Sequence, residues 1–308
     1  MRKIGRIVSA VAACVLMLCV VQPEFAGAEP GMKDVTIRSD RVVTGFAHPE
    51  SVAFEPNEKV FYVSQFGSVL NPTLKDGMGK ISKFSVSGKI LKEQYLPAPG
   101  DVLNKPKGLW IQSGRLWVTD IDVVWVFDLS TRKGRMVSLP GARFANDTAV
   151  VEGVLFVSDS GAKRIYRVEP ADFSSPEVQP VVSVYGTALS FSPNGLYPAD
   201  EGALFVAGYD NGGQDYGVYL IEDEESFATV IKRVGKLDGL AHRADGSMLM
   251  TDWKSRSLLY WHPKGGLKTL ATGFQGPADF CVVPEDGGFL VVVPDLVKNE
   301  VRFIRFKE

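Results

Sequence analysis

One short pattern recurs along the whole chain and limits its fold more than any other feature. It is an alternating apolar run that closes, in four of six copies, on Asp. The copies are "VFYVSQ" ending at Gln65, "RLWVTD" at Asp120, "VLFVSD" at Asp159, "ALFVAG" at Gly208, "SMLMTD" at Asp252 and "LVVVPD" at Asp295. Gly114, Gly153, Gly202, Gly246 and Gly288 stand just ahead of five of them, the punctuation expected before a strand. Each run is followed by a second strand-like segment, such as "VVWVFDL", "RIYRVEP", "GVYLIED", "SLLYWHP" or "EVRFIRF". Segments such as "MVSLP" and "LKTLATGF" supply candidates for an outer strand. Four short strands repeating about every 40 to 55 residues are the signature of a propeller blade. The expected fold is therefore all-β: a single six-bladed β-propeller of four-stranded antiparallel blades around a central channel. The early segment "DVTIRSDRVV" is expected to close the ring as the outer strand of the last blade.

The amino terminus reads differently. Arg2, Lys3 and Arg6 precede an apolar stretch from Ile7 to Val21, and Ala26-Gly27-Ala28 offers a small-residue cleavage site. Residues 1–28 are read as a secretory signal peptide and 29–308 as the propeller domain. The apolar stretch is shorter than the roughly 20 residues of a membrane span, so no stable membrane insertion is expected after cleavage. The expected location is periplasmic or secreted, with a lipoprotein anchored at Cys14 as the minority alternative. Cleavage removes Cys14 and Cys19 and leaves Cys281 alone, so the exported domain has no internal disulfide. Formal net charge over the full chain is −2. That balance gives no basic field for nucleic acid, and the expected partner is a small-molecule substrate. The sequence leaves the oligomeric state open.

Counting back from each motif to the start of the preceding strand gives Glu50, Pro106, Asn146, Asn194, Asp238 and Asp279. The innermost strands of a propeller all enter at one end of the channel, so these positions should converge. Two carboxylates and two amide oxygens form an all-oxygen set suited to a hard divalent cation. Each residue alone is an ordinary turn former, and the repeated Asp120, Asp159, Asp252 and Asp295 are read as turn caps without chemistry. His48, His242 and His262 are too scattered for a zinc site. Cys281 lies in an apolar strand and is read as an inert thiol. The longer connections 66–79 and 209–217 should overhang the same mouth as mobile surface loops.

The pieces "HPESVAFEP", "RFAND", "PNGLYPADEG" and "LDGLAHRADG" together resemble the senescence-marker protein (regucalcin)/gluconolactonase family, with a more distant similarity to paraoxonase-type lactonases. The resemblance implies a divalent metal held by Glu50, Asn194 and Asp238, with Asn146 as ligand or near neighbour. It also implies hydrolysis of a lactone or related ester, Asp238 assisting water activation, and Arg143 and Asn146 contacting substrate. Ca²⁺ is the first choice for an exported protein, with Mg²⁺, Mn²⁺ and Zn²⁺ as alternatives. The competing expectation is a non-catalytic, metal-containing propeller that binds a small molecule or a protein.

Overall fold

The structure is a computed structural model, and it describes residues 34–186, 189–210, 212, 214–224 and 226–308. The leader 1–28 lies outside the described residues. Six four-stranded antiparallel sheets follow one another around a channel, which is the six-bladed propeller read from the repeat. The innermost strands are Pro49–Glu55, Pro106–Gln112, Ala145–Val151, Ser192–Pro198, Leu237–His242 and Cys281–Glu285. The apolar runs that carry the repeat are the second strands, and Val60–Gln65 and Met248–Asp252 are buried at every residue. A strand covered on both faces needs a continuous apolar run rather than alternation, which is why these segments stood out. Among the described residues no helix is long and apolar enough to cross a membrane.

The core consists of six seams between neighbouring blades rather than one central mass. Phe61, Phe84 and Phe303 stack or meet edge-on across the first and last blades. Tyr62, Leu109, Leu116 and Phe127 fill the next seam, and Val126, Leu155, Val157 and Tyr166 the one after. Each blade buries both faces only when both neighbours are present, so the ring must close. Thr36–Thr44 closes it, pairing antiparallel with Glu300–Lys307 from Thr36↔Lys307 to Thr44↔Glu300. Arg302 reinforces this junction: it pairs with Asp40, donates to the Thr272 carbonyl at 2.7 Å and covers the Phe274 ring at 4.1 Å.

The repeated Asp residues are clamps. Asp159 accepts hydrogen bonds from the backbone N–H groups of Arg143, Phe144, Gly161 and Ala162, all at 2.9–3.0 Å. It thus caps its own turn and also fixes the chain as it enters the innermost strand. Asp295 repeats the arrangement on Gln275, Gly276, Val297 and Lys298. Gln65 substitutes in the first blade, taking the Ala47 N–H at 2.7 Å. Both Asp159 and Asp295 are fully buried, so losing either leaves backbone donors unsatisfied, at about 1–3 kcal/mol each.

Just beyond the clamp, five innermost strands carry the same irregularity. Register shifts fall between Pro49/Val52, Pro106/Leu109, Ala145/Thr148, Pro193/Leu196 and Leu237/Leu240. Such bulges redirect side chains, here into the channel. In three blades the Ser or Thr before the clamp position replaces part of the lost ladder: Ser64 accepts the Ser51 N–H, Ser158 the Asp147 N–H and Thr251 the Gly239 N–H, at 2.8–2.9 Å.

Candidate functional site

The residue after each clamp-facing position forms one ring at the entry end of the channel: Glu50, Lys107, Asn146, Asn194, Asp238 and Ala278. One residue deeper lie Ser51, Gly108, Asp147, Gly195, Gly239 and Asp279. Glycine is needed in this second layer because a Cβ on Gly108 would fall 2.3 Å from Asp147 Oδ1, and one on Gly195 would fall 2.4 Å from the Asp238 carbonyl oxygen. The four residues proposed as ligands from the sequence are therefore brought together. Two neighbouring assignments shift: the second blade contributes Lys107, not Pro106, and the last contributes Ala278, with Asp279 one layer down.

Glu50, Asn146, Asn194 and Asp238 line a cavity of about 340 Å³. All four are buried. Asp238 accepts the Trp253 Nε1–H at 2.6 Å and is also hydrogen-bonded by the Asn194 side chain. Asn146 donates its amide to Ser160 Oγ at 3.1 Å. The revealing atoms are those left over. Glu50 Oε2 and Asn194 Oδ1 are buried and have no hydrogen-bond partner. Buried acceptors are normally satisfied, and two orphan oxygens in one ring fit the demands of a hard cation. Among the described residues no three His, Cys, Asp or Glu side chains group tightly enough to hold a metal. A cation here would depend on the two amide oxygens as well as the carboxylates.

Acidic side chains are concentrated in this channel. Burial, with the charges of Asp238 and Asp279, pushes Glu50 well above the usual carboxylate range, while Lys107 opposes the shift. Asp238 is pushed up to about 7 by burial, against its Trp253 hydrogen bond. Asp279, which accepts the Ser51 hydroxyl, is pushed up to about 7 by burial. Asp147 rises through burial and the Asp279 charge, although the Leu196 and Thr148 N–H groups bind it. Burial lowers Lys107 to about 8.

Arg143 is exposed and does not line the cavity. Ala145 takes the clamp-facing position opposite Asp159, and Phe144 turns to the mouth instead. Both long connections reach the cavity, through Phe66 and Pro72 from 66–79 and Tyr209 and Asp210 from 209–217. The first is not the loose loop its composition suggested. Lys105, completely buried, donates to the Phe66 and Val69 carbonyls at 2.8 and 3.3 Å and to Asp76 at 2.7 Å. Lys105, Lys107 and Trp253 had no signal in the sequence beyond adjacency to the repeat. His48 bonds the Leu296 carbonyl through Nδ1 at 2.9 Å, and His242 packs at a tilt against Phe205, 4.8 Å between ring centres, at the other end of its strand. Cys281 is half-buried at the far mouth of the channel, and burial raises its thiol, which keeps it protonated and unreactive.

No protein-family model matches the chain, and no curated protein matches it in sequence. Solved structures do match. A propeller provisionally named a gluconolactonase is 15% identical with a TM-score of 0.62, over 91% of this chain and 96% of that one. Virginiamycin B lyase from Staphylococcus aureus is 11% identical with a TM-score of 0.58, over 88% and 99%. A catalytically inactive variant of that lyase with quinupristin is 12% identical with a TM-score of 0.55. At these identities the likeness establishes a shared propeller fold.

Proposed function

We propose that the chain is an exported, divalent-cation-dependent hydrolase of a lactone or related ester, working at the entry mouth of the channel. The observation that carries this reading is the pair of orphan oxygens, Glu50 Oε2 and Asn194 Oδ1, in a ring that also holds Asp238 and Asn146. Those four residues would hold the cation, Ca²⁺ first among candidates. When bound, it would supply polarisation of the ester carbonyl and stabilisation of the charge that develops on it. The chain's own part centres on Asp238. Trp253 and Asn194 fix its orientation, and its ionised form accepts the proton of the attacking water. Water adds to the carbonyl carbon, the ring C–O bond breaks, and the proton held at Asp238 passes to the departing alkoxide to give a hydroxy acid. Phe66, Phe144 and Trp253 limit how much further water enters the mouth.

One observation favours the alternative, a non-catalytic propeller that binds a small molecule. Lys107 already places a positive charge in the ring, near Glu50. Turnover separates the two readings. A panel of lactones and esters offered to the calcium-loaded protein should yield measurable hydroxy-acid release for at least one lactone. Ligand binding without turnover across the panel would favour the alternative.

Export belongs to the same proposal. Protein recovered from the cell envelope or medium should begin at Glu29, and amino-terminal sequencing that starts at Met1 would contradict it.

A further inference from the structure

We infer that the substrate of this mouth is a compact, apolar lactone or ester, alkyl- or aryl-substituted, rather than a polyhydroxylated sugar lactone. The inference rests on the hydrolase reading for the reaction, but its physical basis is the wall of the cavity. Above the polar floor stand Phe66, Pro72, Phe144, Tyr209, Trp253 and Leu296, contributed by five different blades. A cavity of about 340 Å³ is at the small end of ligand sites, so a bound molecule must touch this wall.

Two polar side chains on the wall, Ser160 and Asp210, are already engaged. Ser160 donates to the Pro193 carbonyl at 2.7 Å and accepts from Asn146. Asp210 accepts the Gly212 N–H at 2.9 Å and faces Lys163 and Tyr216, both at 3.4 Å. A polyol would have to bury hydroxyls against rings and occupied acceptors, which is unfavourable without new partners. Arg143, the cation that could have met a sugar hydroxyl, is turned to solvent.

The wall is also built to stay in place. Lys105 spends all its donors on the 66–79 connection, fixing Phe66 and the strap that carries Pro72. Lys107 sits 4.6 Å from the Phe144 ring centre and 5.6 Å from that of Phe66. Its Nζ also donates to the Lys105 carbonyl at 3.2 Å. Two fully buried lysines thus hold two aromatic rings at the rim, one through backbone carbonyls and one through cation–π contact.

The test uses binding, so it does not depend on turnover. Two non-hydrolysable δ-lactams of one ring size, one alkyl-substituted and one polyhydroxylated, are titrated calorimetrically into the full-length chain with calcium present. The alkyl lactam should bind at least tenfold tighter. Phe144→Ala should raise its Kd at least tenfold and leave the polyol lactam unchanged. Lys105→Met should weaken the alkyl lactam several-fold, with part of the affinity recovered in Lys105→Arg. If Lys105→Met does not fold, Asp76→Asn loosens the same latch from the strap side and should act in the same direction. Equal affinities, a preference for the polyol, or an alkyl affinity indifferent to Phe144→Ala would overturn the inference. Selective binding of the alkyl lactam without hydrolysis of any lactone would sustain it while removing the hydrolase reading. Faster hydrolysis of a sugar lactone, with polyol-selective binding, would do the reverse.

Discussion

Replacing Glu50 by Gln or Asp238 by Asn is expected to weaken calcium binding at least about a hundredfold, roughly 3 kcal/mol, while Asp159→Asn leaves it within a few-fold. The contrast separates two kinds of buried acid that look alike in the sequence. Asp159 has its oxygens committed to four backbone donors, and its contribution is to hold the entering strand. Glu50 has an oxygen without any partner, and Asp238 is steered by two donors toward the same ring. Glu50→Gln and Asp238→Asn keep shape and remove charge, so a loss of affinity reports the charge. Isothermal titration of chelator-treated protein measures all three. Equal affinities in the three variants would show that the ring is not the cation site.

The second large effect is a loss of stability in cation-free protein as pH rises from about 5 to 7.5. Asp238 and Asp279 are each raised to about 7 in the folded state by burial. Between about pH 4 and 7 the folded chain therefore retains protons that the unfolded chain has released, and stability falls as pH rises through that window. A shift of this size corresponds to something on the order of 4 kcal/mol for one such group. Lys107 acts in the opposite sense. Its folded value is lowered to about 8 by burial, so from there toward 10 the unfolded chain holds the extra proton and the Lys107 contribution recovers, while Glu50 and Asp147, also raised by burial, extend the loss. Calcium, if held by ionised Glu50 and Asp238 as proposed, should offset this loss, adding about 2.7 kcal/mol at a hundredfold excess over its Kd. Urea unfolding from pH 5 to 9, with chelator and with calcium, gives both curves. A cation-free protein equally stable at pH 5 and 7.5 would contradict the charge arrangement described for the channel.

Much of the architecture was legible because it is repeated. Six copies of one apolar run set the blade count, and the charged, alternating "DVTIRSDRVV" could only pair at an edge, where Thr36–Thr44 is found. The convergence of Glu50, Asn146, Asn194 and Asp238 followed from the common direction of the innermost strands. The errors have a shared physical cause. The spacing from ring residue to clamp is not constant, 13 residues from Lys107 to Asp120 but 17 from Ala278 to Asp295, so counting back from the clamp lands one residue away in the second blade and one layer away in the last. Pro106 consequently stood in for Lys107, and Asp279 for Ala278. Ala145 had a similar effect at Arg143, since the added residue rotates Phe144 into the wall. The fixed position of 66–79 was not legible at all. Its Gly, Lys and Asp content describes a solvated loop, and only the three-dimensional approach of Lys105, from the next blade, reveals the anchor.

The most direct test of the central claim is the initial rate of ring opening of an alkyl-substituted lactone, measured against free calcium concentration. The account predicts a rate that vanishes with chelator, rises to saturation with calcium, and returns fully on re-addition. A rate indifferent to chelation, or no ring opening at saturating calcium, would contradict it.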